Sequence, residues 1–320
     1  MTHYIAPQVQ ELLRQVREAG RPPAWQGTPA QARINPTLMR LLFGPAPALH
    51  RREDLMIPSP DGGVPARLYL PSPKPRGTIV YLHGGGWVIG SVADWDAFTA
   101  TLAVESGCAV VSIDYRLAPE HPYPAALNDA LAALDWVAHH AEQVLGFKTG
   151  PLVVAGDSAG ANLATIAVRH HHERPAARRY DLQVLAYPVT DCDFDTPSYL
   201  EFAEGKLLTR ADMQWFWSLY VPDAEKRSHP DVSPLRAPSL AGVPRSLILT
   251  AALDPLRDEG ERYAEKLRLS GVAVDLVRCE GLVHGFLSMT HRVPEAGRAF
   301  ERIVEVVSAC TSGGAERNGK

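Results

Sequence analysis

The sequence predicts an α/β fold: a mostly parallel, eight-stranded sheet flanked by helices and interrupted by one long connection. Three observations predict it. Short apolar runs recur at Thr78–Leu82, Ala109–Ile113, Leu152–Ala155, Leu182–Ala186, Ser246–Thr250 and Val272–Val277. Helical stretches separate them, near 93–106, 124–145, 159–172 and 256–270, and a last one spans 294–309. Residues 191–244 then break the alternation with a connection of lid length. Runs that are apolar throughout read as strands buried on both faces, and helical crossovers make such strands parallel.

The remaining elements follow in chain order. Val9, Leu12, Leu13 and Val16 recur at helical spacing, so residues 7–19 form an amphipathic helix. Residues 21–50 are Pro-rich, with a second helix expected near Thr37–Phe43. Leu55–Ile57 and Val64–Leu70 flank Asp61-Gly62, a hairpin signal that adds antiparallel strands at one edge. Within the second strand Val64, Ala66, Leu68 and Leu70 alternate with Pro65, Arg67 and Tyr69, which buries one face. The long connection carries its own helix: Thr209 and Asp212 form a capping box ahead of Met213, Trp215, Phe216, Trp217, Leu219 and Tyr220. The tail Thr311–Lys320 is small and polar and is expected to be disordered.

Composition narrows the function classes. The 320 residues carry 32 Lys plus Arg and 36 Asp plus Glu, a net charge of −4, so binding to a phosphate backbone has no support. Apolar residues make up 46%, enough for a large core and too many for a disordered chain. Pro is 27 of 320, which favours loops and turns over a helical bundle. Cys108, Cys192, Cys279 and Cys310 lie too far apart for a zinc or redox motif. Glu11, Arg14, Arg17 and Glu18 interrupt the only apolar stretch near the start, so no signal-peptide core is read there. No apolar run reaches membrane-spanning length, and a cytoplasmic protein is expected.

Gly156-Asp157-Ser158-Ala159-Gly160 is a G-x-S-x-G between a strand and a helix. A sharp turn there lifts a serine hydroxyl above the sheet end, and the helix N-terminus offers N–H groups to a developing anion. His83-Gly84-Gly85-Gly86-Trp87 follows the strand Thr78–Leu82 directly. A glycine run in that place leaves backbone N–H groups bare, as an oxyanion hole needs; a phosphate loop would need a following Lys-Ser/Thr. A nucleophilic serine needs a base and the base an acid, in the chain order Ser, Asp, His on such a sheet. Asp254 sits in a loop after the strand Ser246–Thr250, with Asp258 as a rival expected inside the next helix. Among 12 histidines only His284 lies in a Gly-flanked loop after the last strand. His170, His171 and His172 read as a solvated helix end. Asp191, Asp193 and Asp195 alternate like calcium ligands, but Thr196 and Phe202 stand where that loop needs Gly and Glu. They read as a loop at the mouth of a site, with one acid capping a turn.

These pieces are collinear. With Asp114-Tyr115-Arg116-Leu117-Ala118-Pro119-Glu120 and Asn162-Leu163-Ala164, they resemble the hormone-sensitive-lipase-like family of α/β-hydrolase carboxylesterases over about residues 55–305. The resemblance implies an α/β-hydrolase fold with a helical cap. It implies Ser158 as nucleophile, His284 as base, Asp254 as acid, and the N–H groups of Gly85, Gly86 and Ala159 as oxyanion donors. Residues 1–48 and 191–230 would form the two parts of the cap, and 49–310 the body. The ligand would be a small-molecule ester of short to medium acyl chain, with no metal and no organic cofactor. The chain would be a monomer or homodimer, without nucleic-acid binding or membrane insertion. Trp87, Trp215 and Phe216 are candidate pocket walls, although most cap aromatics should pack the cap onto the body. An amidase of the same fold is the alternative. A non-catalytic receptor on this scaffold would lack the catalytic histidine, and His284 is present.

Overall fold

The computed structural model describes residues 3–20, 22–34, 43–174 and 177–312. Its centre is one eight-stranded sheet. The strands are β1 (Arg51–Ile57), β2 (Val64–Leu70), β3 (Thr78–Leu82), β4 (Ala109–Ile113), β5 (Leu152–Asp157), β6 (Leu182–Ala186), β7 (Arg245–Leu253) and β8 (Val274–Val283). Their spatial order is β1-β2-β4-β3-β5-β6-β7-β8. β2 pairs antiparallel with both β1 and β4, and every pair from β4 through β8 is parallel.

Alternate strand residues feed two apolar layers. Val80 and Leu82 of β3 and Leu152 and Val154 of β5 join the layer on one face. Ile79, Tyr81, Val153 and Ala155 join the other. This is why the central strands carry no polar alternation: both faces exclude water, and each fully buried Val, Leu or Ile contributes roughly 1.5–3 kcal/mol. One layer packs under α4 (Ala125–His139) and α6 (Ala159–Glu173); the other packs under α3 (Asp96–Ser106) and α10 (Pro294–Ser312).

Four interior strands, β2, β3, β4 and β6, have the expected bounds; interior β5 runs on to Asp157 rather than Ala155, and β7 spans Arg245–Leu253 rather than Ser246–Thr250. β1 begins at Arg51 rather than Leu55, because its first half is the charged run Arg51–Asp54, exposed on an edge strand. Charge there discourages pairing with another chain. β8 covers Val274–Val283 rather than 272–277, and its outer half alternates Arg278 and Glu280, exposed, with buried Cys279 and Gly281. The helix expected at 124–145 is two: α4 ends at His139, His140 breaks the helical geometry at φ −122°, and α5 runs Ala141–Leu145. α10 reaches Ser312, so the first two residues of the expected disordered tail are helical. Most of the helix expected near Thr37–Phe43, and residues 313–320, lie outside the described residues.

α1 (Pro7–Glu18) buries Val9 and Leu13 against the body, and the Ala6 N–H bonds the Gly281 carbonyl at 3.0 Å. α2 (Pro29–Ile34) carries Arg33, which donates to the Val88 and Ala118 carbonyls and pairs both carboxylate oxygens of Glu120. The long connection after β6 holds α7 (Pro197–Glu201) and α8 (Arg210–Tyr220), with the Thr209–Asp212 capping box in place. The two segments meet where the Trp25 N–H bonds Asp212 Oδ1. α9 (Arg257–Leu269) completes the last crossover. Among the described residues no helix is long and apolar enough to cross a membrane.

The expected solvated helix end at His170–His172 fails for two of the three; His170 is partly exposed and bonds Asp231. His171 and His172 are buried, at 1% and 9% exposure. His171 Nε2 bonds the Arg178 carbonyl; His172 donates from Nδ1 to the Gly242 carbonyl and accepts the Tyr180 N–H at Nε2. Burial holds both imidazoles below their usual range. The face they occupy packs on the segment leading into β6, a contact that helical periodicity alone does not reveal.

Candidate active site

The parallel strands point their C-terminal ends at one rim, and the candidate residues leave the sheet there. Ser158 follows β5, Asp254 follows β7, His284 follows β8 and the glycine loop follows β3. Open α/β sheets place ligands at this rim.

Ser158 adopts φ +53°, ψ −120°, a conformation costing a non-glycine residue about 1–3 kcal/mol. Its surroundings enforce it. The Ser158 N–H bonds the Ala186 carbonyl at 2.9 Å. The flanking glycines let the turn close: a Cβ on Gly160 would stand 2.0 Å from the Leu82 carbonyl oxygen, and one on Gly156 2.6 Å from the Gly160 backbone. The strained serine directly precedes α6, so the Ala159 N–H is the first free amide of that helix.

His284 Nε2 lies 2.9 Å from Ser158 Oγ, and Nδ1 lies 2.8 Å from Asp254 Oδ2. Asp254 is wholly buried, and its Oδ1 accepts the Leu256 N–H at 3.0 Å. With Asp254 accepting from Nδ1, Nε2 is left to take the serine proton. The rival Asp258 is occupied elsewhere: it accepts the Ser198 N–H at 2.9 Å and pairs with Arg257.

The His83–Gly86 loop is tied to the residue before the serine: the Gly84 N–H bonds Asp157 Oδ1 at 2.8 Å. Gly85 and Gly86 hold φ +127° and +58°, and the Gly85 carbonyl accepts from Val88 and Ile89. Among the described residues, the amides of Gly85 and Gly86 donate to no protein acceptor. His83 is buried, stacked on Tyr115 at 4.4 Å.

The aromatic candidates divide. Phe216 packs on the glycine loop so closely that a Cβ on Gly86 would stand 2.3 Å from its ring, and half-buried Trp215 lies 5.1 Å from it. Trp87 does not form an open wall. It is wholly buried, stacked 4.3 Å from Tyr220 and edge-on to Trp217 at 5.2 Å. It holds φ +59°, and its indole lies in the seam between the body and α8. The expected role in substrate binding gives way to one of fastening.

Four residues escaped the sequence reading. Asp157 is buried beneath the elbow, bonded to Tyr81 and Gly84, and burial raises its carboxyl above the usual range. Tyr187 follows β6 at φ +36°, with its ring 4.7 Å from that of His284; burial pushes its phenol well up. Glu259 Oε1 accepts the N–H groups of Thr190 and Asp191, and burial pushes this carboxyl well up too. Ser198 joins the long connection to the Asp254 loop through the Pro255 carbonyl. The legible signal was charge inside apolar context: Asp157 ends a fully buried strand, and a buried acid needs partners. The alternating acids have simpler uses. Asp191 pairs with Arg236, Asp195 with Arg210, and Asp193 Oδ1 accepts the Asp195 N–H in the expected turn.

Known proteins share this architecture. A family model described as alpha/beta hydrolase fold matches residues 79–288. The carboxylic ester hydrolase LipN of Mycobacterium tuberculosis is 43% identical over 77% of this chain and 67% of its own. The ethyl acetate hydrolase of Pseudomonas putida is 37% identical over 79% and 81%. The solved structure of the hyperthermophilic esterase from Pyrobaculum calidifontis superposes with a TM-score of 0.89 at 36% identity, covering 96% of this chain and 98% of that one. Family model, relatives and solved structure agree, and the chain belongs to the hormone-sensitive-lipase-like family of α/β-hydrolase carboxylesterases.

Proposed function

We propose that this protein hydrolyses short- to medium-chain carboxylic esters through an acyl-enzyme on Ser158. One observation carries the proposal: hydroxyl, imidazole and buried carboxylate form a continuous line, Ser158–His284–Asp254, with spacings of 2.9 and 2.8 Å. Ser158 Oγ attacks the ester carbonyl as His284 Nε2 takes its proton. Asp254 holds the imidazole tautomer and stabilises the imidazolium. The N–H groups of Gly85, Gly86 and Ala159 receive the oxyanion. His284 then protonates the departing alcohol, and water repeats the sequence on the acyl-enzyme.

Residues 1–48 and 191–230 act as a two-part cap on the body. Support comes from the Trp25–Asp212 bond between them and from Phe216 lying on Gly86. A ring in that place narrows the space beside the reacting carbonyl and favours small acyl groups. A relative named for ethyl acetate fits the same size class. We place the protein in the cytoplasm, as monomer or homodimer.

Two measurements test the substrate assignment. Paired ester and anilide substrates of one acyl group separate esterase from amidase, and faster anilide turnover would overturn the ester reading. A series of p-nitrophenyl esters from acetate to palmitate should peak at butyrate or hexanoate. A maximum at palmitate would contradict the narrow pocket.

A further inference from the structure

The acid inside the nucleophile turn takes no part in the proton relay, yet it bonds residues at the ends of two neighbouring strands, Tyr81 and Gly84 on one side and Tyr187 on the other. Asp157 is 4% exposed and has no cationic partner among the described residues. Its Oδ1 accepts two donors, the Tyr81 hydroxyl at 2.7 Å and the Gly84 N–H at 2.8 Å. Its Oδ2 accepts the Tyr187 hydroxyl at 3.4 Å, and the Tyr187 ring abuts His284. The fit to the glycine loop is close: a Cβ on Gly84 would stand 2.3 Å from Oδ2. A buried carboxyl is costly to desolvate, and an apolar side chain could fill the same volume. The acid therefore needs a reason beyond packing.

We propose that Asp157 is a positioning residue that sets the height of the oxyanion loop. By holding the Gly84 N–H from beneath, it fixes where the next two amides, Gly85 and Gly86, meet the carbonyl attacked by Ser158. Through Tyr187 the same carboxyl braces the ring beside the base. One side chain thus ties the ends of β3, β5 and β6 into a single frame. This rests on Ser158 as nucleophile and the glycine loop as oxyanion hole. The positioning works through acceptance of hydrogen bonds rather than through charge. Asparagine keeps an acceptor for Tyr81 and Gly84 and presents its amide to Tyr187.

The test compares Asp157→Ala and Asp157→Asn with the unmodified enzyme on p-nitrophenyl butyrate. Misplaced oxyanion donors should lower kcat of the alanine variant about 10- to 100-fold with KM within about twofold. Affinity for a trifluoromethyl ketone, which forms a tetrahedral adduct, should fall in proportion, while inhibition by the butyrate product stays unchanged. The asparagine variant should keep kcat within about threefold. A folded alanine variant with unchanged kcat overturns the proposal. So does an asparagine variant as slow as alanine, or a loss shared equally by ketone and product. If Asp157→Ala does not fold, Tyr81→Phe removes one anchor of the carboxyl and leaves the ring in place. Its kcat should fall at least about threefold at constant KM, and unchanged kcat overturns the proposal. Failure of the underlying reading looks different: ester turnover of the parent enzyme would survive Ser158→Ala.

Discussion

Two single residues define how tightly the reaction chamber is drawn. Gly86 combines a left-handed φ of +58° with the Phe216 ring where its Cβ would stand. Gly86→Ala should therefore push the ring and the loop apart and lower kcat/KM by at least about tenfold on p-nitrophenyl butyrate. Equal kinetics would show that the loop does not carry the oxyanion donors. His284 sets the response to acid. An imidazole that has taken a proton on Nε2 cannot accept one from Ser158, so kcat/KM should fall across an acidifying pH series. A profile flat across that series would contradict the assignment. At this scale much of the site was readable, because Ser158, Asp254 and His284 each follow an apolar run and sit in loops with glycine or proline. Asp157 and Tyr187 were not. Their roles depend on the spatial order β3-β5-β6, which brings distant segments side by side, and nothing local in the chain states that order.

Elements show where hydrophobic pattern suffices and where it misleads. β3, β4 and β6 match the expected bounds because their apolar runs end where the burial ends, and β2 matches through its alternation, whereas β5 and β7 run on past their apolar runs toward Ser158 and Asp254. β1 and β8, with one edge free, were misjudged because charge or alternation entered the pattern. The N-terminal segment is held by a few specific contacts: His3 to Glu201, Ala6 to Gly281, Trp25 to Asp212 and Arg33 to Glu120. Those contacts reach α7, the strand before His284, α8 and the loop after Tyr115. Deleting residues 1–35 should cut kcat/KM more than about tenfold while urea unfolding stays cooperative. Unchanged kinetics would show that this segment is no cap. At the end of α6, His171 and His172 are neutral when buried, whereas the unfolded chain takes up those protons near the ordinary value of 6.5. The unfolded state then binds more protons, so this contribution is present above pH 6.5 and is lost as pH falls through the depressed folded values. Asp157 and Glu259, raised by burial, act in the opposite sense. The comparison with His172→Gln isolates the histidine: its urea midpoint should drop less between pH 7 and pH 5 than that of the parent protein. An equal drop would remove His172 from the account.

For the whole molecule, the glycine loop after His83, Ser158, Asp254 and His284 all leave the same rim of one sheet. A cut between them would part Ser158 from Asp254 and His284, so the proposed hydrolysis needs the whole span from β3 to β8. The net charge of −4 and the narrow aromatic roof over Gly86 both suit small, uncharged esters. The central claim is that Ser158 is the acylated residue, activated by His284. It is tested most directly by treating the protein with an organophosphate and mapping the adduct by peptide mass spectrometry, beside ester turnover of Ser158→Ala. The expected result is one adduct, on the peptide carrying Ser158, with turnover in the variant lowered by at least about 10³-fold. An adduct on another serine, or turnover that survives the substitution, would contradict the account.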